Sequence, residues 1–159
     1  MLSARLRLSH ISAHLVDGSY DKSTGEWREG NLPHVYSREF VDIILAYEYS
    51  DLLRIYGGGQ YIYHVDPADL RKFGLQAGLE AVWLDGLGRD IHVYVAYDIR
   101  LLDSGVMRTA HGAQLGAKLG AWRGGGLNVF IAYYNGPSQH GEYYDRFWSY
   151  WGPGLNIDF

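Results

Sequence analysis

The chain has 159 residues, enough for one domain spanning 1–159 with a core and short for two. It holds no Cys, which excludes disulfides and thiolate metal sites, and its formal charge of −4 without a basic block leaves no nucleic-acid footprint. Twenty-one Gly and fourteen Tyr against two Met and five Phe, with no apolar run long enough for a membrane helix, suit a β-barrel. No secretory signal precedes the first strand-like residues, so the chain reads as a mature domain or a fragment.

Residues 2–15 alternate Leu2, Ala4, Leu6 and Leu8 with Arg5 and Arg7, a period of two that marks a strand. The polar stretch 17–34 is a loop by its Gly, Asp, Asn, Ser and Pro content. Alternation resumes over 38–49 (Val41, Ile43, Leu45, Tyr47, Tyr49). After a tight turn at Ser50–Asp51, a strand over 52–64 carries Gly57-Gly58-Gly59, which favours a bend or a close approach. A short loop at 65–71 leads to a strand at 72–83 and a turn at 85–88. The clearest strand is 89–100, where Ile91, Val93, Val95, Tyr97 and Ile99 oppose Asp90, His92, Tyr94, Asp98 and Arg100. A loop at 101–108, strands at 110–122 and 127–134 joined by a turn at 123–126, a loop at 135–146 and a strand at 147–159 complete the chain.

About eight antiparallel strands, with tight turns alternating with longer polar loops, fit an up-and-down transmembrane β-barrel of a bacterial outer membrane. On that reading both termini are periplasmic. Tyr47, Tyr49, Trp83, Trp122 and Phe159 form a periplasmic aromatic girdle, and Tyr61, Tyr63, Phe73, Tyr97, Tyr133 and Trp148 an external one. A soluble lipocalin-like barrel is the competing architecture. The run from Gly154 to Phe159, apolar at alternate positions and ending on Phe, resembles the C-terminal signal by which outer-membrane barrels are recognised. The expected partners are therefore outer-membrane lipid and the barrel-insertion machinery, through the strand ending at Phe159.

Four pieces carry a family resemblance: His10-Ile11-Ser12-Ala13-His14-Leu15, Leu53-Arg54-Ile55-Tyr56-Gly57, Tyr133-Tyr134-Asn135-Gly136 with Ser138-Gln139, and Gly152-Pro153-Gly154 running to Asp158-Phe159. Together they resemble domain-of-unknown-function family 1207, an uncharacterised bacterial family of outer-membrane proteins. The resemblance implies the location and the barrel fold, and no activity. Members of that family are usually longer, with a signal peptide and further sequence upstream. It therefore also implies that these strands form the C-terminal part of a larger barrel and that Met1 is not a natural start.

The inward face is charged: Arg5, Arg7, Asp42, Glu48, Arg54, Glu80, His92, Asp98, Arg100 and Lys118. Inside a small closed barrel such charges must pair, because an unpaired buried charge is costly. Arg54 with Glu80, and Asp98 with Lys118, lie on neighbouring strands and are the expected pairs, making an interior polar network of Arg54, Glu80, His92, Asp98, Arg100 and Lys118. A passive pore would need additional strands.

His10 and Ser12 form the sharper candidate. On a strand, positions i and i+2 share a face about 7 Å apart, and Ser activated by His is the minimal acyl-transfer pair. Both lie on the Leu6/Leu8 face near the external rim. The arrangement is similar to the lipid A deacylase barrels, which carry a His-x-Ser-Asn motif on an outward face plus a Glu; Ala13 stands here in place of the Asn. The acid would be Asp17, Glu26 or Glu29, and the candidate catalytic set is His10, Ser12 and Asp17. The ordinary alternative is a His and a Ser that merely mark where the strand leaves the membrane. His10 and His14 lie about 13 Å apart along a strand and cannot share a metal ion. His34, His64 and His140 would meet only through loop folding, and no cofactor is implied. Tyr143, Tyr144, Gln139 and Glu142 give the last loop a surface suited to a sugar or a partner protein. The leading expectation is an outer-membrane protein with a structural or interaction role, and the alternatives are a lipid esterase and a pore.

Overall fold

A computed structural model describes residues 1–13, 20–27, 36–66, 70–103 and 106–159. The strands are β1 (Leu2–Ala13), β2 (Tyr20–Asp21), β3 (Glu26–Trp27), β4 (Tyr36–Tyr49), β5 (Leu53–Asp66), β6 (Phe73–Trp83), β7 (Ile91–Asp103), β8 (Met107–Gly120), β9 (Gly126–Pro137) and β10 (Phe147–Asp158), with one 3-10 turn at Gly141–Tyr143. Eight of them form a single antiparallel sheet in the order β1-β4-β5-β6-β7-β8-β9-β10. Each expected strand is present. β2 and β3 add a small hairpin inside the stretch expected to be loop, closed by the edge-on packing of Tyr20 and Trp27 at 5.2 Å. Among the described residues no ladder joins β1 to β10.

The sheet curls. β4 and β9 are five strand spacings apart, about 24 Å on a flat sheet. Yet Tyr36 of β4 stacks on Tyr144 of the β9–β10 connection with ring centroids 4.9 Å apart. At the opposite end Arg123, in the β8–β9 turn, pairs with Glu48 and Asp51 at the β4–β5 turn. Only strong curvature permits both contacts.

Aromatic residues facing glycines on the inner side make that curvature possible. The register sets Tyr56 opposite Gly78, Tyr94 opposite Gly116 and Phe130 opposite Gly154. A Cβ at Gly78 or at Gly154 would come within 2.3 Å of the facing ring. The rings therefore lie flat over bare backbone, and neighbouring strands can rotate inward without a clash. Gly58, in the glycine triplet, approaches Ile43 so closely that a Cβ would sit 1.9 Å from its carbonyl oxygen.

A register shift at Glu39/Phe40 sets Ile62 opposite Phe40 and His64 opposite Glu39, leaving Tyr63 as the extra residue of a bulge. The bulge brings both Ile62 and Val65 inward, where they join Tyr36, Phe40 and Leu70 in the apolar core, packed by Ala13 and Tyr144. Phe40 is its most buried member, 1% exposed. The core thus sits inside the sheet at the end of the 14–35 and 138–146 connections.

Several boundaries differ from expectation. β5 runs on to Asp66, and β7 and β8 extend to Asp103 and from Met107, so the expected loops at 65–71 and 101–108 shrink to 67–72 and 104–106. The connection 104–106 is then shorter than the turn at 84–90, and connection length does not sort the two ends as expected. That turn is shaped by Asp85 and Asp90, with φ of 55° and 60°, left-handed values that Asp tolerates better than most residues.

Candidate functional site on the outer face

The inner face carries the polar network, in a different pairing from the one expected. Arg54 does meet Glu80, at 2.7 Å, with its guanidinium 5.0 Å from the Tyr56 ring centroid. Asp98 and Lys118 do not meet, because the register places Asp98 opposite Gly112 and Lys118 opposite His92. Asp98 instead accepts hydrogen bonds from Tyr56 Oη (2.8 Å), Gln76 Nε2 (2.6 Å) and Arg100 Nε (2.7 Å). Lys118, with its side chain 6% exposed, donates to Asp158 (2.7 Å) and to the carbonyls of Trp122 (3.1 Å) and Gly124 (2.8 Å). His92 is also buried; its Nδ1 accepts from the Asp85 N–H at 3.1 Å, which leaves Nε2 to donate to the Gly120 carbonyl at 2.9 Å. Arg7 donates to the buried Asp42 at 2.6 Å, with Arg5 beside it at 3.5 Å.

Each of these groups has a structural employment, as a polar filling requires. The filling is incomplete: open cavities of about 550 and 480 Å³ remain on the inner face, the first lined by Tyr56, Glu80, Asp98, Gln114, Tyr134 and Tyr150. The aromatic loop is likewise turned to structural use. Tyr144 stacks on Tyr36, Tyr143 lies under Arg146, and Gln139 accepts from Tyr150. The side chain of Glu142 lies outside the described residues. Two girdle positions move inward: Trp122 packs against His92 and Tyr94, and Trp148 packs against His140 on the inward parity of β10. Phe147 and Trp151 are the aromatics on the outward parity of β10 instead.

His10 and Ser12 lie on the outer face of β1, in phase with Leu6 and Leu8. The register sets His10 opposite Glu39 and Ser12 opposite Ser37. His10 Nδ1 is 3.4 Å from a Glu39 carboxylate oxygen. β5 continues both rungs, with His64 opposite Glu39 and Asp66 opposite Ser37. A polar patch therefore covers three strands, one rung beyond the apolar row Leu8–Val41–Tyr61–Phe73. Of the acids expected for His10, Asp17 and Glu29 lie outside the described residues, as do His14 and His34. Glu26 lies in the β2–β3 hairpin. The acid found at the imidazole is Glu39, which the sequence reading passed over. In the same hairpin, hydrogen bonds from the Ser23 hydroxyl (2.6 Å) and amide (2.9 Å) hold the Asp21 carboxyl below its ordinary range. Among the described residues no group of His, Asp and Glu is arranged to hold a metal ion.

A family model described as a protein of unknown function, DUF1207, matches residues 1–159. The chain belongs to DUF1207. No curated protein and no solved structure matches it. In this DUF1207 chain the pieces that carried the resemblance fall in structural positions of consequence: His10 and Ser12 on the outer face, Arg54 and Tyr56 in the inner network, and Gly154 beneath Phe130. The chemistry available to the DUF1207 sheet thus divides cleanly. The inner groups named above are engaged with one another, apart from the buried Gln60 Nε2, while the outer patch sets the His10 imidazole beside the Glu39 carboxylate.

Proposed function

We propose that this chain is an integral protein of a bacterial outer membrane, its sheet forming the wall of an up-and-down β-barrel, with a structural or interaction role. One observation carries the reading: the outer face is a continuous apolar belt. Leu6, Leu8, Ile43, Leu45, Ile55, Leu75, Leu115, Ile131 and Leu155 are all exposed, on strands that turn their charges inward. A protein surrounded by water rarely exposes an apolar surface of such extent, whereas lipid accommodates it without cost. Tyr47, Tyr49 and Trp83 bound the belt at one end and Tyr61, Phe73, Tyr97 and Tyr133 at the other, where amphipathic rings suit headgroups. The C-terminal strand carries Leu155, Ile157 and Phe159 on its outer face, a pattern suited to capture by the barrel-insertion machinery.

The test is fractionation of cell envelopes combined with a charge scan. The protein partitions with the outer membrane and shows heat-modifiable migration on gels. Ile43→Arg, in the middle of the belt, costs about 2–4 kcal/mol in urea unfolding from lipid vesicles. The same change on a water-facing sheet would stay within about 0.5 kcal/mol. Recovery in the soluble fraction, or an unchanged unfolding midpoint, overturns the reading.

A further inference from the structure

We propose that the inner face of this sheet is a narrow, water-filled pathway for small cations, with the rung Glu48–Arg54–Glu80 as its charge filter. The inference rests on the membrane placement and goes beyond it, because a structural wall needs no passage.

Side-chain size makes the room. Eight strands enclose only enough space for their own side chains, so bulky inward residues would close the interior. The register sets Glu48, Arg54 and Glu80 side by side on β4, β5 and β6. Continued across β7 to β10, the same rung carries Ala96, Gln114, Ala132 and Gly152. Apart from Gln114 these are Ala or Gly, too short to fill the space that the charged side faces. A Cβ at Gly152 would meet nothing within 4 Å. The cavity of about 550 Å³ lies over this small side, and all four residues line it.

That cavity is one of a series. Toward the 138–146 connection it shares Asp98, Tyr134 and Gln139 with the cavity of about 480 Å³. Toward the opposite end it shares Glu80 with one of about 260 Å³. The latter shares Glu48, Asp51 and Arg123 with one of about 320 Å³ beside Met1. A water molecule takes about 30 Å³, so each cavity holds several. At every junction a shared residue belongs to an ion pair: Asp98 with Arg100, Glu80 with Arg54, and Glu48 and Asp51 with Arg123. The pair at the filter is wet. Arg54 and Glu80 are 37% and 43% exposed although both point inward, whereas Lys118, in the filled part of the interior, is 6% exposed. Solvated side chains of this kind can exchange a partner for a passing ion, which a dry plug would not allow. Charge then sets the preference. Around the 260 Å³ cavity the carboxylates of Glu48, Asp51 and Glu80 outnumber the guanidiniums of Arg54 and Arg123. A surplus of carboxylate in the lining favours cations.

The experiment records currents from the full chain in planar bilayers under a potassium chloride gradient. Insertion is verified separately, by heat-modifiable migration and by protease protection in vesicles of the same lipid. The wild type conducts, with a reversal potential on the potassium side. Glu80→Gln moves that potential toward chloride and Arg54→Gln moves it further toward potassium, because the two remove opposite charges from one rung. Ala132→Phe, which sets a ring on the free side of the rung, loses most of the conductance. Val95→Phe, which adds the same ring to the outer face, leaves it unchanged. An inserted protein with no conductance above that of the bare bilayer overturns the pathway and leaves the membrane placement standing. Shifts of the same sign in Glu80→Gln and Arg54→Gln, or full conductance in Ala132→Phe, overturn it as well, since ions would then cross elsewhere, as at the β1 and β10 edges. Failure to insert overturns the membrane placement and the pathway together.

Discussion

Two histidines stand on the outer face at the same end of the sheet, and they differ in their neighbours. His10 on β1 has Ser12 two residues away, and His111 on β8 has Thr109 two residues away. Both strands therefore present an imidazole and a hydroxyl on one face. At His111 both ring nitrogens are taken by hydroxyls: Tyr97 Oη lies 2.6 Å from Nδ1 and Thr109 Oγ1 3.0 Å from Nε2. The residue opposite His111 on β9 is Asn135, an amide. That imidazole is a bridge, tying β7 to β8 through neutral partners. At His10 the residue opposite is Glu39, and the carboxylate faces Nδ1. A histidine and a hydroxyl at i and i+2 are thus insufficient to indicate chemistry. The cross-strand partner decides whether the ring is tied to neutral groups or faces a carboxylate.

The largest expected effect separates the two rings by stability. His111→Asn costs about 1 kcal/mol in urea unfolding, because Tyr97 and Thr109 each lose a partner. His10→Asn costs no more than about 0.5 kcal/mol, since the pair it breaks is well exposed, 59% at His10 and 38% at Glu39. Equal losses in the two variants would mean that the outer face responds as a whole, and the contrast would collapse.

Much of the fold was legible because a strand writes its two faces into alternate residues, as 91–99 does most plainly. The pairing Arg54–Glu80 was legible for the same reason, since adjacent strands joined by a short turn have a narrow choice of register. The partner of Lys118 was not. It depends on Asp158 reaching across from β10 and on two turn carbonyls, none of which the alternation encodes. Glu39 was hidden by distance in the chain: β1 and β4 are separated by the whole 14–35 connection, and the Glu39/Phe40 register shift lies beside it. A signal did exist. Pairing the Leu6/Leu8 run antiparallel with Val41/Ile43 brings His10 to Glu39 without further assumption. The β2–β3 hairpin left no such trace, because two-residue strands are too short for a period, and the edge-packed Tyr20 and Trp27 read as loop aromatics.

The smallest expected effect is that of Glu39→Gln. It breaks the His10 pair from the carboxylate side and is expected to cost no more than about 0.5 kcal/mol in urea unfolding, as His10→Asn does, because both partners are well exposed. The two changes together should cost no more than either alone, since each removes the same contact. A larger loss in Glu39→Gln than in His10→Asn would mean that the carboxylate holds the wall through a further partner. His64, opposite Glu39 on β5, would then be the place to look.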